Sequence, residues 1–523
     1  MKILTAAQMK RAEEECARAG VPTSTLIDNA GKAVAAEVRK ILGDVAGQQI
    51  LFFIGPGNNG GDGLVAARYM YNWGAKIDLY LFSRRPIDDV YLSRATERGI
   101  TATLAMEDGA LKNLTSLLGR ADAVVDALLG TGKNRPLEGV FAAAMAKLNE
   151  VKKEKPSLKV IALDIPTGLD ADTGAVDPDC PYSDYTITLG FPKPGLFNMP
   201  GAERSGKITV VDIGIPEELA TEYYGEYLET KDVKPLLPYR SPLANKGTFG
   251  KVLVIAGSIN YIGAAYLTCN GAMRAGAGLT TLAVAESLVP VLAAKLTETT
   301  YLPLPEVETG IVSPEAVDII KGELDSYDVL LAGPGMGQRE PAVQFMQNLF
   351  FELKDKVLKV ILDADALNTL AKIPHWWQNL TCDAILTPHP GEMARLTGRS
   401  AEEVQRNRLG ITREMAGKWH KIVILKGAYT VIAEPGVLPS GRMAVSPFTN
   451  PGLASAGTGD VLAGVIAGLL SQGLSLFDAA RLGVYLHGLT GEIVRNNLGD
   501  TGMVASDLLP PLPLTIKKMK EGS

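Results

Sequence analysis

A glycine-rich stretch in the second half of the chain carries residue types suited to chemistry on a phosphate. It runs from Asn450 to Gly468 and contains Gly457-Thr458-Gly459-Asp460 ahead of an apolar segment. We expect a loop that becomes a helix at Asp460, with the backbone N–H groups of Gly457, Thr458 and Gly459 pointing at one spot near the positive end of the helix dipole. Such an anion hole suits a phosphate, and Asp460 at its mouth could take a proton from an attacking hydroxyl group.

A purely structural role for the same residues is the alternative. Gly457 and Gly459 could only make a tight loop, and Asp460 could only cap a helix, since Asp is a favoured cap residue. The organisation of the rest of the chain favours the chemical interpretation.

The first half of the chain contains a second glycine-rich segment, directly after the apolar run Ile50 to Ile54. It reads Gly55-Pro-Gly-Asn-Asn-Gly-Gly-Asp-Gly63, and an amphipathic helix is predicted after it from Leu64 to about Trp73. Strand, glycine loop and helix form the opening unit of a parallel doubly wound sheet. Asn58 and Asn59 offer amide groups to a ligand that the glycines allow close to the backbone.

Further strands are predicted in this half, and three of the loops that follow strands are rich in polar and small residues. In a parallel sheet such loops share one edge, where ligands bind at a reversal of strand order. The loops are Asn58 to Asp62, Gly130 to Pro136 and Asp164 to Gly168. We therefore expect them to form one site.

Asp126 and Asp164 are predicted at strand ends facing this crevice. Carboxylate, amide and hydroxyl oxygens, the last from a residue such as Thr167, suit an alkali or alkaline-earth cation and not zinc. Asp164 could instead exchange a proton with a bound ligand. For each aspartate alone, a loop cap or a structural hydrogen bond is the alternative.

The strand pattern is lost between Ile215 and Thr248, where the chain becomes charged and proline-bearing, as domain junctions often are. A second series of strands and helices follows. The sequence thus predicts two α/β domains, which we place at residues 1–225 and 226–523. A length of 523 residues agrees with more than one domain.

Two loops of the second domain are candidates for ligand contacts. Lys426-Gly-Ala-Tyr-Thr430 ends a strand close in sequence to the anion hole, which is a natural position for nucleotide contacts. His389 lies between Pro388 and Pro390, which fix its direction. His375, His420 and His487 have no such context and are given no role.

Composition narrows the class of protein. A net charge of -6 without a basic block argues against a nucleic-acid or membrane partner. The 4 cysteines form no C-x-x-C pair, which fits a reducing compartment. With no long apolar segment or signal peptide evident, we expect a soluble cytoplasmic protein.

At this point the motifs resemble a known family. The Gly55 to Gly63 segment, the Asp126 to Pro136 loop and Leu163-Asp-Ile-Pro-Thr-Gly168 resemble the NAD(P)H-hydrate epimerase domain. Four further motifs resemble the NAD(P)H-hydrate dehydratase domain of the same repair pathway. They are Lys246-Gly-Thr-Phe-Gly250, Gly333-Pro-Gly-Met-Gly337, Thr387-Pro-His-Pro-Gly-Glu392 and Ala456-Gly-Thr-Gly-Asp460. Their order is that of the fused bifunctional nicotinamide nucleotide repair enzymes. The resemblance implies an N-terminal Rossmann-like doubly wound domain followed by a C-terminal ribokinase-like α/β domain.

For the first domain the resemblance implies interconversion of the R and S forms of NADH or NADPH hydrated at C6 of the nicotinamide ring (NADHX and NADPHX). Asp164 would lie beside the reacting ring, and potassium would be bound by Asn59, Asp126 and Thr167. The residues implied in holding the dinucleotide are Asn58, Asn59, Gly60, Gly61, Asp62, Gly130, Thr131, Gly132, Lys133, Asn134, Arg135, Pro136 and Asp164.

For the second domain the resemblance implies dehydration of the S form by phosphorylation of its hydroxyl group and expulsion of phosphate, with Asp460 as catalytic residue. ADP, with Mg²⁺, is the implied cosubstrate, because fused members of the family resemble enzymes that use ADP. The residues implied in contacting the hydrate are Ala264, Gly335, His389 and Asp460, and those implied in contacting the nucleotide are Lys426, Gly427, Ala428, Tyr429, Thr430 and Gly459.

One departure from the family pattern is Asn245, where a histidine is expected before Lys246-Gly247. Two other functions remain as alternatives: a small-molecule kinase that releases its phosphorylated product, and a dinucleotide-sensing module whose first domain binds without turnover. A homo-oligomer is expected in each case.

Overall fold

The computed structural model describes residues 1–132, 136–353, 358–436 and 441–521. The chain forms two compact units: Lys2–Gly225, and Glu226–Ser523 together with Met1. Each has its own sheet and its own core. Among the described residues, none forms a helix both long enough and apolar enough to cross a membrane.

The N-terminal unit is built on a parallel sheet whose five inner strands are almost entirely buried. From one edge to the other the strands are Thr101–Leu104, Lys76–Leu81, Gln49–Ile54, Ala123–Ala127, Lys159–Leu163, Tyr185–Leu189 and Lys207–Val211. Burial on both faces explains the unbroken apolar runs in the sequence. Strand order reverses between Gln49–Ile54 and Ala123–Ala127, so a ligand crevice is expected beyond the carboxyl ends of these two strands.

Helices cover both faces of this sheet. They are Ala6–Arg18, Thr23–Leu42, Asn58–Asn72, Val90–Thr96, Lys112–Arg120, Val140–Glu154 and Gly201–Ser205. On one face the core joins Phe53 and Tyr80 of the sheet to Leu114, Leu118 and Leu148 of two helices. The sheet extends to both sides of the two central strands, Gln49–Ile54 and Ala123–Ala127, and this surrounding structure holds the loops at the crevice.

The C-terminal unit has a larger, mixed sheet. Its strands, in spatial order, are Gly225–Tyr227, Met443–Val445, Val431–Ala433, Ile422–Leu425, Ala384–Leu386, Lys359–Leu362, Val329–Ala332, Lys251–Ile255, Leu279–Ala285 and Thr300–Leu304. The strands from Ile422–Leu425 to Thr300–Leu304 run parallel, and the pairings of Val431–Ala433 are antiparallel. Strand order reverses between Lys251–Ile255 and Val329–Ala332, which places the crevice of this unit. A short hairpin, Glu306–Glu308 with Ile311–Val312, lies outside the sheet.

The helices of the C-terminal unit are Thr230–Val233, Ile262–Ala275, Val289–Ala293, Val317–Glu323, Glu340–Glu352, Asp365–Leu370, Pro390–Thr397, Ala401–Arg406, Arg408–Trp419, Thr458–Ser471, Leu476–Leu498 and Pro511–Glu521. Two of them approach unusually closely. A Cβ atom added at Gly464 would lie 2.2 Å from the carbonyl oxygen of Thr268, and one at Gly468 would lie 2.3 Å from that of Ala272. Glycine therefore lets Thr458–Ser471 pack directly on Ile262–Ala275, which fixes the helix that carries Asp460.

The α/β class predicted for both halves is confirmed. The sequence did not predict the strands Thr101–Leu104, Leu279–Ala285 and Thr300–Leu304 in the parallel parts of the sheets, or the antiparallel strands Val431–Ala433 and Met443–Val445. Thr101–Leu104 and Thr300–Leu304 are the outermost strands of their parallel regions, and both are partly exposed. Edge strands lack the continuous apolar run by which central strands are recognised.

Candidate active sites

A cavity of about 620 Å³ opens at the strand reversal of the N-terminal unit. The predicted residues that line it are Asn58, Asn59, Asp62, Gly130, Thr131, Gly132 and Asp164. Gly60, Gly61 and Pro136 are not part of the lining. Lys133, Asn134 and Arg135 lie outside the described residues.

The glycine segment differs from its prediction, because the helix begins at Asn58 and not at Leu64. Gly60 and Gly61 are therefore buried helix residues and not loop residues. A Cβ atom at Gly60 would lie 2.1 Å from the carbonyl oxygen of Gly55, and one at Gly63 would lie 2.5 Å from the Cβ atom of Ala127. These glycines let the helix start against the strand ends, which brings its free N–H groups to the crevice.

Asp164 is held in a strained backbone conformation, with a positive φ of 70°. Its Oδ1 atom accepts hydrogen bonds from Lys193 Nζ at 2.5 Å and from the backbone N–H of Leu189 at 3.2 Å. Its Oδ2 atom lies 3.4 Å from the point where a Cβ atom of Gly130 would stand. Aspartate tolerates this conformation better than most residues, and strain of this kind is characteristic of functional sites.

Lys193 was missed by the sequence analysis. Its side chain is completely buried and also donates to Leu189 O at 3.1 Å and Thr188 Oγ1 at 3.3 Å. A buried ammonium group requires a partner of opposite charge, which Asp164 provides. The signal was present in the sequence, because Lys193 lies between two prolines shortly after the strand Tyr185–Leu189.

Two further carboxyl groups surround this ion pair. Burial raises the pKa of Asp62 well above its usual range, and the neighbouring carboxylates of Asp164 and Glu13 raise it further, against the opposing effect of Lys193. Burial also raises the pKa of Glu13. Carboxyl groups of raised pKa beside a cavity are suited to proton transfer near neutral pH.

The three residues predicted to bind potassium lie at the same sheet edge. Asp126 is wholly buried; its Oδ1 accepts from Thr167 Oγ1 at 2.8 Å and its Oδ2 accepts from Thr167 N at 2.9 Å. Burial raises the Asp126 pKa in spite of these bonds. The Oδ1 atom of Asn59 is buried and has no hydrogen-bond partner among the described residues. An unpartnered amide oxygen at the same sheet edge as a carboxylate and a hydroxyl group fits a hard cation.

In the C-terminal unit, a second lysine–aspartate pair lies near the strand reversal. Lys426 Nζ is 2.6 Å from Asp363 Oδ1, which also accepts a hydrogen bond from Thr387 Oγ1 at 2.7 Å. Glu392 Oε2 lies 3.9 Å from the same ammonium group. Glu392 was noted only as the last residue of a motif and Asp363 was given no role, and the structure brings both beside Lys426.

Asp460 lies in the first turn of a helix that begins at Thr458, two residues earlier than predicted. Gly457, with a φ of 89°, is the residue before the helix, so the alternative role of Asp460 as helix cap is not realised. Burial raises the pKa of Asp460 to about 7, with a further rise from Asp363 and an opposing effect from Lys426. A carboxylate of this pKa is well matched to general-base catalysis at neutral pH.

The start of this helix also shows how the predicted anion hole is organised. Thr458 Oγ1 donates to Leu453 O at 2.8 Å, and the Thr458 backbone N–H lies 3.4 Å from Ser455 O. His487, given no role from sequence, has its Nε2 atom 2.9 Å from Thr458 O, and burial lowers the His487 pKa to about 4. The neutral ring therefore contacts the carbonyl group of Thr458, and the amide of the same residue already donates to Ser455 O.

His389 caps a helix. Its Nδ1 atom accepts from the backbone N–H of Gly391 at 3.0 Å and of Glu392 at 3.4 Å, so the proton of the neutral ring resides on Nε2. Burial and the nearby charge of Lys426 lower the pKa of His389. The half-exposed ring is thus a fixed, neutral donor, close to the residues around Lys426.

Ala264 and Gly335 are brought together at the strand reversal. Gly335 has a φ of 65°, and a Cβ atom there would lie 2.6 Å from that of Ala264. The Gly335 carbonyl accepts a hydrogen bond from Ser258 Oγ at 2.7 Å. Only glycine fits this backbone position, so the helix start at Ile262–Ala275 and the Gly333–Gly337 loop share one surface.

The Lys426–Thr430 loop lies next to the helix start of Asp460. A Cβ atom at Gly459 would lie 3.3 Å from Lys426 Nζ. Gly427 and Ala428 are exposed, whereas the Tyr429 side chain is only 3% exposed and points into the core. Contacts of Tyr429 with a ligand would therefore be made by its backbone.

A buried arginine supports the strand end that carries Lys426. The Nη2 atom of Arg408 donates to the carbonyls of Leu425 at 3.1 Å and Lys426 at 3.2 Å. Burial lowers the Arg408 pKa to about 10, so the group stays charged at neutral pH. This residue was not predicted, because a charged residue within a helix is normally expected to be solvent-exposed.

In each unit, therefore, polar loops converge at a reversal of strand order, around a lysine–aspartate pair and additional carboxyl groups. This arrangement defines an α/β protein with one candidate ligand site in each unit, at the strand reversal where ligands of open parallel sheets bind. Within the described residues, no group of three or more His, Cys, Asp or Glu side chains is arranged to hold a metal ion.

Comparison with known proteins gives the family. Residues 252–513 match the family model of NAD(P)H-hydrate dehydratase, and residues 23–195 match that of the YjeF-related protein N-terminus. A bifunctional NAD(P)H-hydrate repair enzyme of Moorella thermoacetica is 38% identical over 100% of this chain and 98% of its own length. One of Thermofilum pendens is 37% identical over 100% of this chain and 97% of its own length. The chain belongs to the family of bifunctional NAD(P)H-hydrate repair enzymes, and the resemblance noted from the motifs is confirmed.

Among solved structures, an ADP/ATP-dependent NAD(P)H-hydrate dehydratase of Bacillus subtilis, co-crystallised with ATP and Mg²⁺, is similar to part of the chain. It is 32% identical, covers 56% of this chain and 99% of its own, and has a TM-score of 0.48. A ribokinase-like superfamily protein of Enterococcus faecalis is 26% identical with a TM-score of 0.48. The family assignment rests on the full-length sequence matches.

Proposed function

We propose that this protein repairs hydrated NADH and NADPH, with epimerisation in the N-terminal unit and dehydration in the C-terminal unit. The chain matches bifunctional repair enzymes along its whole length. Within it lie two candidate sites of different chemistry, one in each unit, and this observation carries the proposal. We place the epimerase domain at residues 1–225 and the dehydratase domain at residues 226–523. We also propose that the enzyme is cytoplasmic and forms a homo-oligomer.

In the proposed epimerase site, the hydrate lies in the cavity beside Asp164. The hydroxyl-bearing C6 atom is bonded to the ring nitrogen, whose electron pair can displace the hydroxyl group if the leaving oxygen receives a proton. Asp164 supports this step through its Oδ2 atom, because its Oδ1 atom is held by Lys193. The dinucleotide is held by Asn58, Asn59, Gly60, Gly61, Asp62 and the Gly130 to Pro136 loop, in which Gly60 and Gly61 act by positioning the helix start.

The proposed potassium site is formed by Asn59, Asp126 and Thr167. The unpartnered Asn59 Oδ1 atom supports it, as do the remaining lone pairs of Asp126 Oδ2 and Thr167 Oγ1. A bound potassium ion would be coordinated both by the first turn of the helix that begins at Asn58 and by residues at two strand ends, and would thus link these elements. It would thereby stabilise the cavity wall that orients the ligand.

In the proposed dehydratase site, Asp460 takes the proton of the C6 hydroxyl group as its oxygen attacks the terminal phosphorus of ADP. The bond to AMP breaks, and the hydroxyl becomes a phosphate ester. Phosphate then leaves from C6, and loss of a proton from the neighbouring carbon restores the ring double bond. The negative charge of the transferring phosphoryl group is stabilised by the ammonium group of Lys426 and by the amides of Gly457, Thr458 and Gly459. The Thr458 amide contributes least, because it already donates to Ser455 O.

The remaining contacts follow the geometry of the second crevice. Ala264, Gly335, His389 and Asp460 would contact the hydrate, with His389 as a neutral donor. Lys426 to Thr430 and Gly459 would contact ADP, through backbone groups at Tyr429. Mg²⁺ would enter with the nucleotide phosphates, as is usual for this ion.

A direct test is to incubate the protein with hydrated NADH and either ADP or ATP, and to follow the near-ultraviolet absorbance of reduced nicotinamide. We expect the absorbance to recover, with ADP the better cosubstrate, and AMP and phosphate to appear in equal amounts. Consumption of ADP without recovery of absorbance would instead indicate a kinase that releases its product. Absence of any interconversion of R and S hydrates would indicate an N-terminal unit that only binds.

A further inference from the structure

Glu13 belongs to the wall of the N-terminal cavity, although it is part of no motif in the sequence. It comes from the helix Ala6–Arg18, which begins with a capping box formed by Thr5 and Gln8. The same cavity is lined by Asn59, Asp62 and Asp164. The first helix of the chain therefore closes one part of the cavity and delivers a carboxyl group to it.

The position of Glu13 follows from the packing of its helix. Met9, Ala12 and Cys16 are the buried residues of the helix, and Glu13 lies one turn after Met9, which also lines the cavity. Unlike the exposed Glu14, which pairs with Lys10 at 3.9 Å, Glu13 has a side chain that makes no hydrogen bond or ion pair with any described residue. A half-buried carboxyl group without a partner is costly unless a ligand or a proton completes it.

Charged groups from three other elements face Glu13. Asp62 lies in the helix Asn58–Asn72, Asp164 follows the strand Lys159–Leu163, and Lys193 follows the strand Tyr185–Leu189. On its own helix, Glu14 adds a weaker effect. Burial raises the pKa of Glu13, Lys193 lowers it, and the two nearby acidic groups Asp164 and Glu14 raise it again. The net effect is a Glu13 pKa above its usual range, which suits a carboxyl group that gives and takes a proton.

The chemistry of epimerisation requires proton transfer on both faces of one carbon. A hydroxyl group must leave C6 from one face, and water must return to the other face. Because Lys193 holds the Asp164 carboxylate in place, this one group cannot reach both the oxygen that leaves from one face of C6 and the oxygen that enters on the other. Resting on the function proposed above, we propose that Glu13 is the second catalytic residue of the epimerase site, serving the face of C6 opposite to that served by Asp164.

As the C6–O bond breaks, the ring nitrogen forms a double bond to C6, and one protonated carboxyl group gives its proton to the leaving oxygen, which departs as water. Water then attacks the opposite face of C6, the nitrogen recovers its electron pair, and the other carboxylate accepts the proton that the water loses. Glu13 acts as acid in one direction and as base in the reverse direction, and proton exchange with solvent resets the pair.

The test is Glu13→Gln in the full-length protein, with separated R and S hydrates as substrates. We expect kcat for epimerisation to fall about 10²-fold with KM changed less than about threefold, at the lower end of the 10²- to 10⁴-fold that a proton-transfer group is typically worth. One limb of the pH profile of epimerisation should also disappear. Glu13→Asp, which keeps a carboxyl group, should recover activity to within about tenfold of the wild type.

Glu14→Gln is the matched control, because Glu14 is on the same helix but exposed; epimerisation should stay within about twofold of the wild type. Dehydration of S hydrate with ADP reports the other unit and should be unchanged in every variant. A Glu13→Gln enzyme with wild-type kcat and pH profile would overturn this inference alone. A wild-type protein that does not interconvert the hydrates would overturn the proposed function itself, and the role of Glu13 with it.

Discussion

The two units use a lysine–aspartate pair in different ways. In the N-terminal unit, Lys193 lies 2.5 Å from Asp164, and its side chain is 0% exposed. In the C-terminal unit, Lys426 lies 2.6 Å from Asp363, and its side chain is 17% exposed. In both cases the aspartate directly follows a parallel strand, so a similar position in the fold supports both pairs.

The difference in exposure corresponds to a difference in chemistry. Lys193 is sealed behind Asp164 and can act on a ligand only by orienting that carboxylate and by influencing nearby pKa values. Lys426 instead reaches the surface beside Gly459, at the start of a helix, where a cation and free amides together suit a phosphate. The first arrangement suits proton transfer on an uncharged ring, and the second suits phosphoryl transfer.

The largest effect that separates the two sites is expected for Asp460→Asn. Removing the base should slow ADP-dependent dehydration about 10³- to 10⁴-fold, at the upper end of the range for general-base catalysis. Epimerisation should stay within about twofold of the wild type, since Asp460 belongs to the other unit. The two rates can be measured on one preparation, by absorbance and by chromatographic separation of the R and S hydrates. Equal loss of both activities would contradict two independent sites.

The reciprocal variant, Asp164→Asn, should slow epimerisation about 10²- to 10³-fold and leave dehydration of S hydrate intact. Asparagine is the suitable replacement because it tolerates the positive φ of this position and retains an oxygen acceptor for Lys193. Binding of the hydrate to the variant should persist, and the thermal unfolding midpoint serves as control for folding. An epimerase activity that survives this change would exclude Asp164 from the reaction.

The smallest effect is expected in the pH dependence of dehydration. The pKa of Asp460 is about 7, and the base acts in its ionised form. kcat/KM should therefore fall about tenfold per pH unit below this pKa and level off above it. Epimerisation, which needs both a protonated and an ionised carboxyl group, should show a bell-shaped profile. A dehydration rate that is flat between pH 5 and pH 8, about two units below to one unit above that pKa, would mean that Asp460 is not the titrating base.

The sequence and the structure agree best where a strand is central and its loop is polar. The strand that ends at Ile54, the strands before Asp164 and Asp363, and the loop before Asp460 were all located from apolar runs and their glycines. Helix starts were placed less well, because Asn58 and Thr458 are poor helix formers in isolation. The first helix is held by packing against strand ends, and the second by packing on the helix Ile262–Ala275. Partners from distant segments, such as Lys193 and Arg408, were missed for a related reason: each acts through a residue far away in the sequence.

What the sequence determined by itself was the α/β class, the family and the loops in which chemistry could occur, because buried strands and glycine-rich turns leave local patterns. Only the tertiary structure decided which charges meet. It paired Lys193 with Asp164 and Lys426 with Asp363, and it placed Glu13 in the wall of a cavity formed largely by segments more than forty residues away. The physical reason is that pKa values and ion pairs depend on burial and on distances between residues that are remote in the chain, and no local pattern records them.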